Sequence, residues 1–114
     1  MDNIVREKSF NFAVRIVKLC KYVRSNKKEH EISRQLLRSG TSIGANIAES
    51  EHAQSRPDFS SKLNIALKEA AETDYWLRLL HETNHLTDSE FSSIIADCKE
   101  IESLLASIVK TLKT

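Results

Sequence analysis

A chain of 114 residues with 40% hydrophobic content is one domain with a modest core. Two glycines, one proline, 6% aromatics and no period-two β-branched runs exclude a sheet-based fold and predict long helices. No segment reaches a transmembrane length, and a net charge of +1 selects no partner by itself.

The distribution of charge is more informative. Residues 1–38 carry ten Lys/Arg against four acids, a balance of +6, and the remainder carries seven against twelve, a balance of −5. That asymmetry reads two ways: an anionic partner for the N-terminal half, or complementarity between helices or subunits. The charged start, Met1 to Lys8, differs from a secretory leader, so a cytoplasmic location is expected.

The first predicted helix covers about 3–25. Lys8, Asn11, Arg15 and Lys18 form its polar stripe, and nearly everything else between Phe10 and Val23 is apolar. So wide an apolar surface implies burial on more than one side, which in a small chain means oligomerisation. The basic stripe, continued by Lys21, Arg24, Lys27 and Lys28, could track a phosphate backbone or be an ordinary solvated face. Trp76, Tyr22 and Tyr75 do not interleave with these cations, so no base-stacking platform is expected.

The second predicted helix covers about 29–50 and contains both glycines. Ile32, Leu36, Ile43 and Ile47 mark its core face; Gly40, Gly44 and Ala48 form a smooth line beside it; Ser39, Ser42, Asn46 and Glu49 form a polar line. A glycine inside a helix costs about 0.5–1 kcal/mol relative to alanine, so the pair predicts close approach of another helix. The segment lacks the preceding strand and the lysine of a phosphate-binding loop.

The third predicted helix runs from about 57 to 84, with Ser55 as N-cap and Pro57 in the first turn. Phe59, Leu63, Ala66, Ala70, Thr73, Leu77 and Leu80 form its main stripe; Ile65, Glu69, Glu72, Trp76 and Leu79 form a second. Antiparallel packing against the second helix would bring Arg38 near Glu69, and Gln35 or Arg34 near Glu72, as a structural ion-pair network. Thr87-Asp88-Ser89-Glu90 is a capping box that opens the fourth helix. That helix carries a heptad: Phe91, Ile94, Cys98, Ile101, Leu105, Ile108 and Leu112. Four helices with short connections predict an all-α, antiparallel up-down-up-down bundle over 1–114.

Metal chemistry finds little support. His81-Glu82-Thr83-Asn84-His85 matches the H-E-x-x-H pattern of zinc proteases, but it lies at a helix end without an evident third ligand. Glu49-Ser50-Glu51-His52 supplies one Glu-x-x-His, where a di-iron bundle needs two. Cys20 and Cys98 fall on apolar stripes, without a C-x-x-C pair, and read as buried thiols in a reducing compartment. No cofactor or metal is expected.

Ser9-Phe10, the run Gln35-Leu36-Leu37-Arg38-Ser39-Gly40-Thr41-Ser42-Ile43-Gly44-Ala45-Asn46-Ile47, Asp58-Phe59, Lys62-Leu63, Ile65 to Ala70, Glu72-Thr73 and Tyr75-Trp76-Leu77 carry a resemblance across essentially the whole chain. The chain resembles the bacterial four helix bundle protein family, also called the 23S rRNA intervening-sequence protein family. The resemblance implies a bundle assembling into a homopentameric ring or barrel. Some members are encoded within sequences that interrupt large-subunit rRNA genes. A related branch, the accessory protein of diversity-generating retroelements, works with a reverse transcriptase and binds nucleic acid; that branch is strongly basic, unlike this chain. The expected function is a non-enzymatic assembly protein, homopentameric, associated with RNA or ribonucleoprotein through Lys8, Arg15, Lys18 and Lys21. Gln35, Arg38, Ser39, Gly40, Ser42, Gly44, Asn46, Glu69 and Glu72 form its assembly motif. The alternatives are a protein-interaction scaffold without nucleic acid and, more remotely, a metal-dependent hydrolase built on His81, Glu82 and His85.

Overall fold

The computed structural model describes residues 3–113. Four helices follow in order: α1 (Asn3–Asn26), α2 (Glu31–Ser50), α3 (Arg56–Glu82) and α4 (Asp88–Leu112). Each packs on its sequence neighbours, and α4 closes the circuit on α1; among the described residues the backbones of the diagonal pairs do not approach closely. This is the up-down-up-down bundle, about 44 Å long and 20 Å across.

The helix boundaries follow from their capping groups. Ser55 is the N-cap of α3 and its hydroxyl accepts the Asp58 N–H, with Pro57 in the first turn. Thr87 and Glu90 form a reciprocal capping box at α4. The start of α2 differs from the predicted 29. Glu29 stays outside the helix, and its carboxylate accepts the N–H groups of Glu31, Ile32 and Ser33 at 3.1, 2.8 and 2.8 Å. Burial works against the charge on Glu29, but these backbone donors hold its carboxyl below the ordinary range. Helix α3 ends at Glu82 rather than 84, because Asn84 takes a left-handed conformation with φ 64°. Lys28, between α1 and α2, does the same with φ 56°.

The core is one cluster along the bundle axis, including Phe12, Ile16, Leu36, Ile43, Ile47, Leu63, Leu77, Leu80, Ile101 and Leu105. The α3 stripe occupies it as predicted, apart from a half-buried Phe59. Helix α4 departs from its heptad: after Leu105 the buried residue is Val109, while Ile108 and Leu112 are only partly covered. A straight helix of 3.6 residues per turn drifts away from a 3.5-residue repeat, so the next core position falls at i+4. Cys20 and Cys98 are both free and buried.

Candidate functional site

The four basic residues expected to meet nucleic acid do not act alike. Lys8 Nζ lies 3.2 Å from Glu100 on α4, and Arg15 Nη1 donates to Asp97 Oδ2 at 2.6 Å while Nη2 donates to the Ser93 hydroxyl at 2.9 Å. These two cations bridge α1 to α4. Lys18 and Lys21 are exposed and make no ion pair among the described residues. Lys27 and Lys28, at the end of the same helix and in the following turn, are exposed as well. The charge asymmetry of the sequence is therefore partly complementarity between helices, and the remaining cations gather towards one end of the bundle.

The other flank of α1 meets the glycines of α2. A Cβ built on Gly40 would lie 2.8 Å from Ile16 Cγ2, and one on Gly44 would lie 3.3 Å from the Ser9 carbonyl oxygen. Ile16 and Ser9 are both buried. The two glycines thus allow α1 to seat against α2, which is the close approach predicted for them. Outside this contact runs a groove of about 680 Å3, walled by Phe10, Ala13, Gly44, Ala45 and Ala48, with Arg6 and Glu7 at its rim. Phe10 is 68% exposed, and Ile4 and Val14 on the same helix are 50% and 39% exposed. Part of the wide apolar surface of α1, the part that carries Ile4, Phe10 and Val14, is therefore left uncovered by the chain's own helices, while Val5, Phe12, Ile16, Cys20 and Val23 are buried.

A polar layer joins α2 to α3. Arg38 contacts both Glu69, at 3.5 Å, and Glu72. Glu72 also accepts the Trp76 indole N–H at 2.9 Å; this bond and Arg38 outweigh burial and hold the Glu72 carboxyl below its ordinary range. Glu72 therefore pairs with Arg38 rather than with Gln35 or Arg34. The polar line of α2 splits. Ser39 is buried, and its hydroxyl accepts from the equally buried Thr73 Oγ1 at 2.9 Å. Ser42 donates to the Arg38 carbonyl, Asn46 donates to the Ser42 carbonyl, and Glu49 faces Lys62 at 3.7 Å. Gln35 lies half-buried on the same flank.

The H-E-x-x-H residues do not converge. Because α3 stops at Glu82, His85 lies beyond the helix instead of one turn along its face. His81 Nε2 contacts Asp88 at 2.7 Å and its ring stacks on Phe91, while His85 Nδ1 contacts the Thr83 hydroxyl at 2.9 Å. Among the described residues no three His, Cys, Asp or Glu side chains group as metal ligands, and none of the helices is long and apolar enough to cross a membrane.

Sequence reasoning missed one cluster on the α3–α4 seam. Asp74 is buried, and it accepts from Arg78 Nε and Lys99 Nζ, both at 2.9 Å. The i, i+4 spacing of Asp74 and Arg78 was legible; the partner on α4 was not.

A comparison with curated proteins returned no match. Among solved structures, the chain is similar to a protein of unknown function from the S23 ribosomal protein family of Bacteroides thetaiotaomicron. The two are 59% identical, with 96% of this chain and 97% of that one covered and a TM-score of 0.93. The family model for 23S rRNA-intervening sequence proteins matches residues 1–107, so the chain belongs to that family.

Proposed function

We propose that this chain is a non-enzymatic assembly protein whose copies close into a homopentameric ring that associates with RNA. The observation that carries the assembly is the uncovered apolar face of α1 together with the groove beside it, where Phe10 is 68% exposed. A single small chain gains by burying such a surface against a second copy. Five copies of the 13.0 kDa chain have a mass of 65 kDa, and light scattering of nuclease-treated protein tests that value. Phe10→Glu should yield folded monomers, because Phe10 takes no part in the monomer's core. A wild-type protein that remains monomeric at micromolar concentration defeats the assembly.

RNA association rests on Lys18 and Lys21, with Lys8 and Arg15 in a lesser role because α4 already engages them. Affinity for a single-stranded RNA should fall with salt, and the doubly substituted Lys18→Glu/Lys21→Glu protein should bind more weakly with a shallower salt slope. Binding that ignores both salt and substitution defeats this surface. Absence of RNA binding at low salt defeats the association itself and favours the second reading, a protein-interaction scaffold. The pairing of half the basic row with α4 supports that alternative.

A further inference from the structure

Helices α1 and α3 occupy diagonal corners of the bundle and run in the same direction, so their outer ridges face opposite ways. The α1 ridge carries Ile4, Glu7, Val14 and Lys21, and the α3 ridge carries Ile65, Lys68, Tyr75 and Glu82. All eight are exposed, Val14 by 39% and Tyr75 by 51%. Glu7, Lys21, Lys68 and Glu82 make no ion pair among the described residues. Each α3 residue stands 61 positions after its α1 counterpart, so the two ridges share one spacing over about 25 Å of helix. Apolar residues coincide at two levels of that spacing. At the other two the charges are opposite, Glu7 with Lys68 and Lys21 with Glu82.

We infer that the α1 ridge of one copy packs in parallel on the α3 ridge of the next, with Ile4 on Ile65, Val14 on Tyr75, Glu7 beside Lys68 and Lys21 beside Glu82. The inference rests on the ring proposed above and names its contact. A ring of more than two copies related by rotation needs a heterologous contact, in which two different surfaces of the chain meet. Rotation about an axis along the bundle keeps α1 of one copy parallel to α3 of its neighbour, and the diagonal placement of the two helices lets the contact repeat from copy to copy. Antiparallel packing of the same ridges would set Glu7 against Glu82 and Lys21 against Lys68, like charge on like. An antiparallel pair of α1 ridges would match charge, but it closes on two copies and leaves the α3 ridge bare. Phe10, 68% exposed, falls at the level of the exposed Ala71, whose small side chain leaves it room. The groove beside Phe10 opens along the same ridge, since Glu7 lines it too. Of the two cations assigned to RNA, Lys21 then lies at the subunit contact, and Lys18 stays on the side of α1 that faces α4.

Mixing two variants tests this. Val14→Glu spoils one ridge and Tyr75→Glu the other; both positions are exposed, and circular dichroism should show each variant folded. Each alone should be monomeric by light scattering at a concentration where the wild type is assembled. Mixed, they should form a heterodimer of twice the 13.0 kDa chain mass, because the intact α1 ridge of the Tyr75 variant meets the intact α3 ridge of the Val14 variant. Lys21→Glu and Glu82→Lys should each raise the concentration needed for assembly about fivefold, and the double swap should restore it. Either ridge variant self-associating on its own, a mixture without heterodimer, or a double swap as weak as its single parents overturns this contact while a wild-type ring still stands. A monomeric wild type overturns both the ring and the contact.

Discussion

Helix α1 is held on its two sides by seams of different kinds. Against α2 the backbones approach closely enough that a Cβ at Gly40 would overlap the buried Ile16 and one at Gly44 would press on the Ser9 main-chain carbonyl. Against α4 the contact is sparser and its polar part is made by long side chains, Lys8 to Glu100 and Arg15 to Asp97, which remain 41–52% exposed. The first seam is steric and intolerant of added volume. The second is electrostatic, screened by water and easily rearranged. Sequence features that appear similar in rank, a glycine pair and a basic stripe, therefore differ greatly in what they contribute to the fold.

The contrast can be broken most directly at Gly40. Gly40→Leu should destabilise the chain by roughly 3 kcal/mol, since the new side chain overlaps Ile16. Denaturant titration would reveal it, and an unchanged midpoint would show that α1 can lift away from α2 without penalty. Gly44→Leu should cost less stability but impair assembly, because its side chain would enter the groove beside Ser9. An assembly mass and melting temperature equal to wild type would contradict the close-packing account. A smaller effect is expected across the α2–α3 contact. Thr73→Val removes a buried hydroxyl from Ser39 and should cost about 1 kcal/mol in chemical denaturation. The smallest belongs to the electrostatic seam: a double-mutant cycle of Arg15→Ala and Asp97→Ala should return a coupling below about 1 kcal/mol that declines with salt. A coupling as large as the Gly40 effect would erase the distinction between the seams.

Helix positions and caps were legible because their signals are local. Ser55, Pro57, Thr87 and Glu90 act within one turn of their own position, and the glycine pair sits inside one uninterrupted apolar period. The contact of Arg38 with Glu69 was also within reach, since α2 and α3 are consecutive and antiparallel. What escaped was pairing between distant segments. Arg15 and Asp97 are separated by 82 residues, and Lys8 and Glu100 by 92, so no local pattern distinguishes these bonds from a free cationic face. Asp74 escaped for a related reason: beside Thr73 on the edge of the core stripe it resembles a solvated acid until Lys99 is brought over it.

The placement of the two glycines has a consequence for how the chain could be remodelled. Neither is in a turn; both serve proximity inside α2, while two of the three reversals of direction use Lys28 and Asn84, with left-handed φ values of 56° and 64°. Both carry a β-carbon, but asparagine tolerates that geometry better than lysine, because its short amide side chain can hydrogen-bond the local backbone. The usual division of labour is inverted, with the most pliable residues held rigid and side-chain-bearing residues making the bends. The α1–α2 turn is therefore open to redesign with glycine at position 28, whereas the straight segment containing Gly40 offers almost no such freedom.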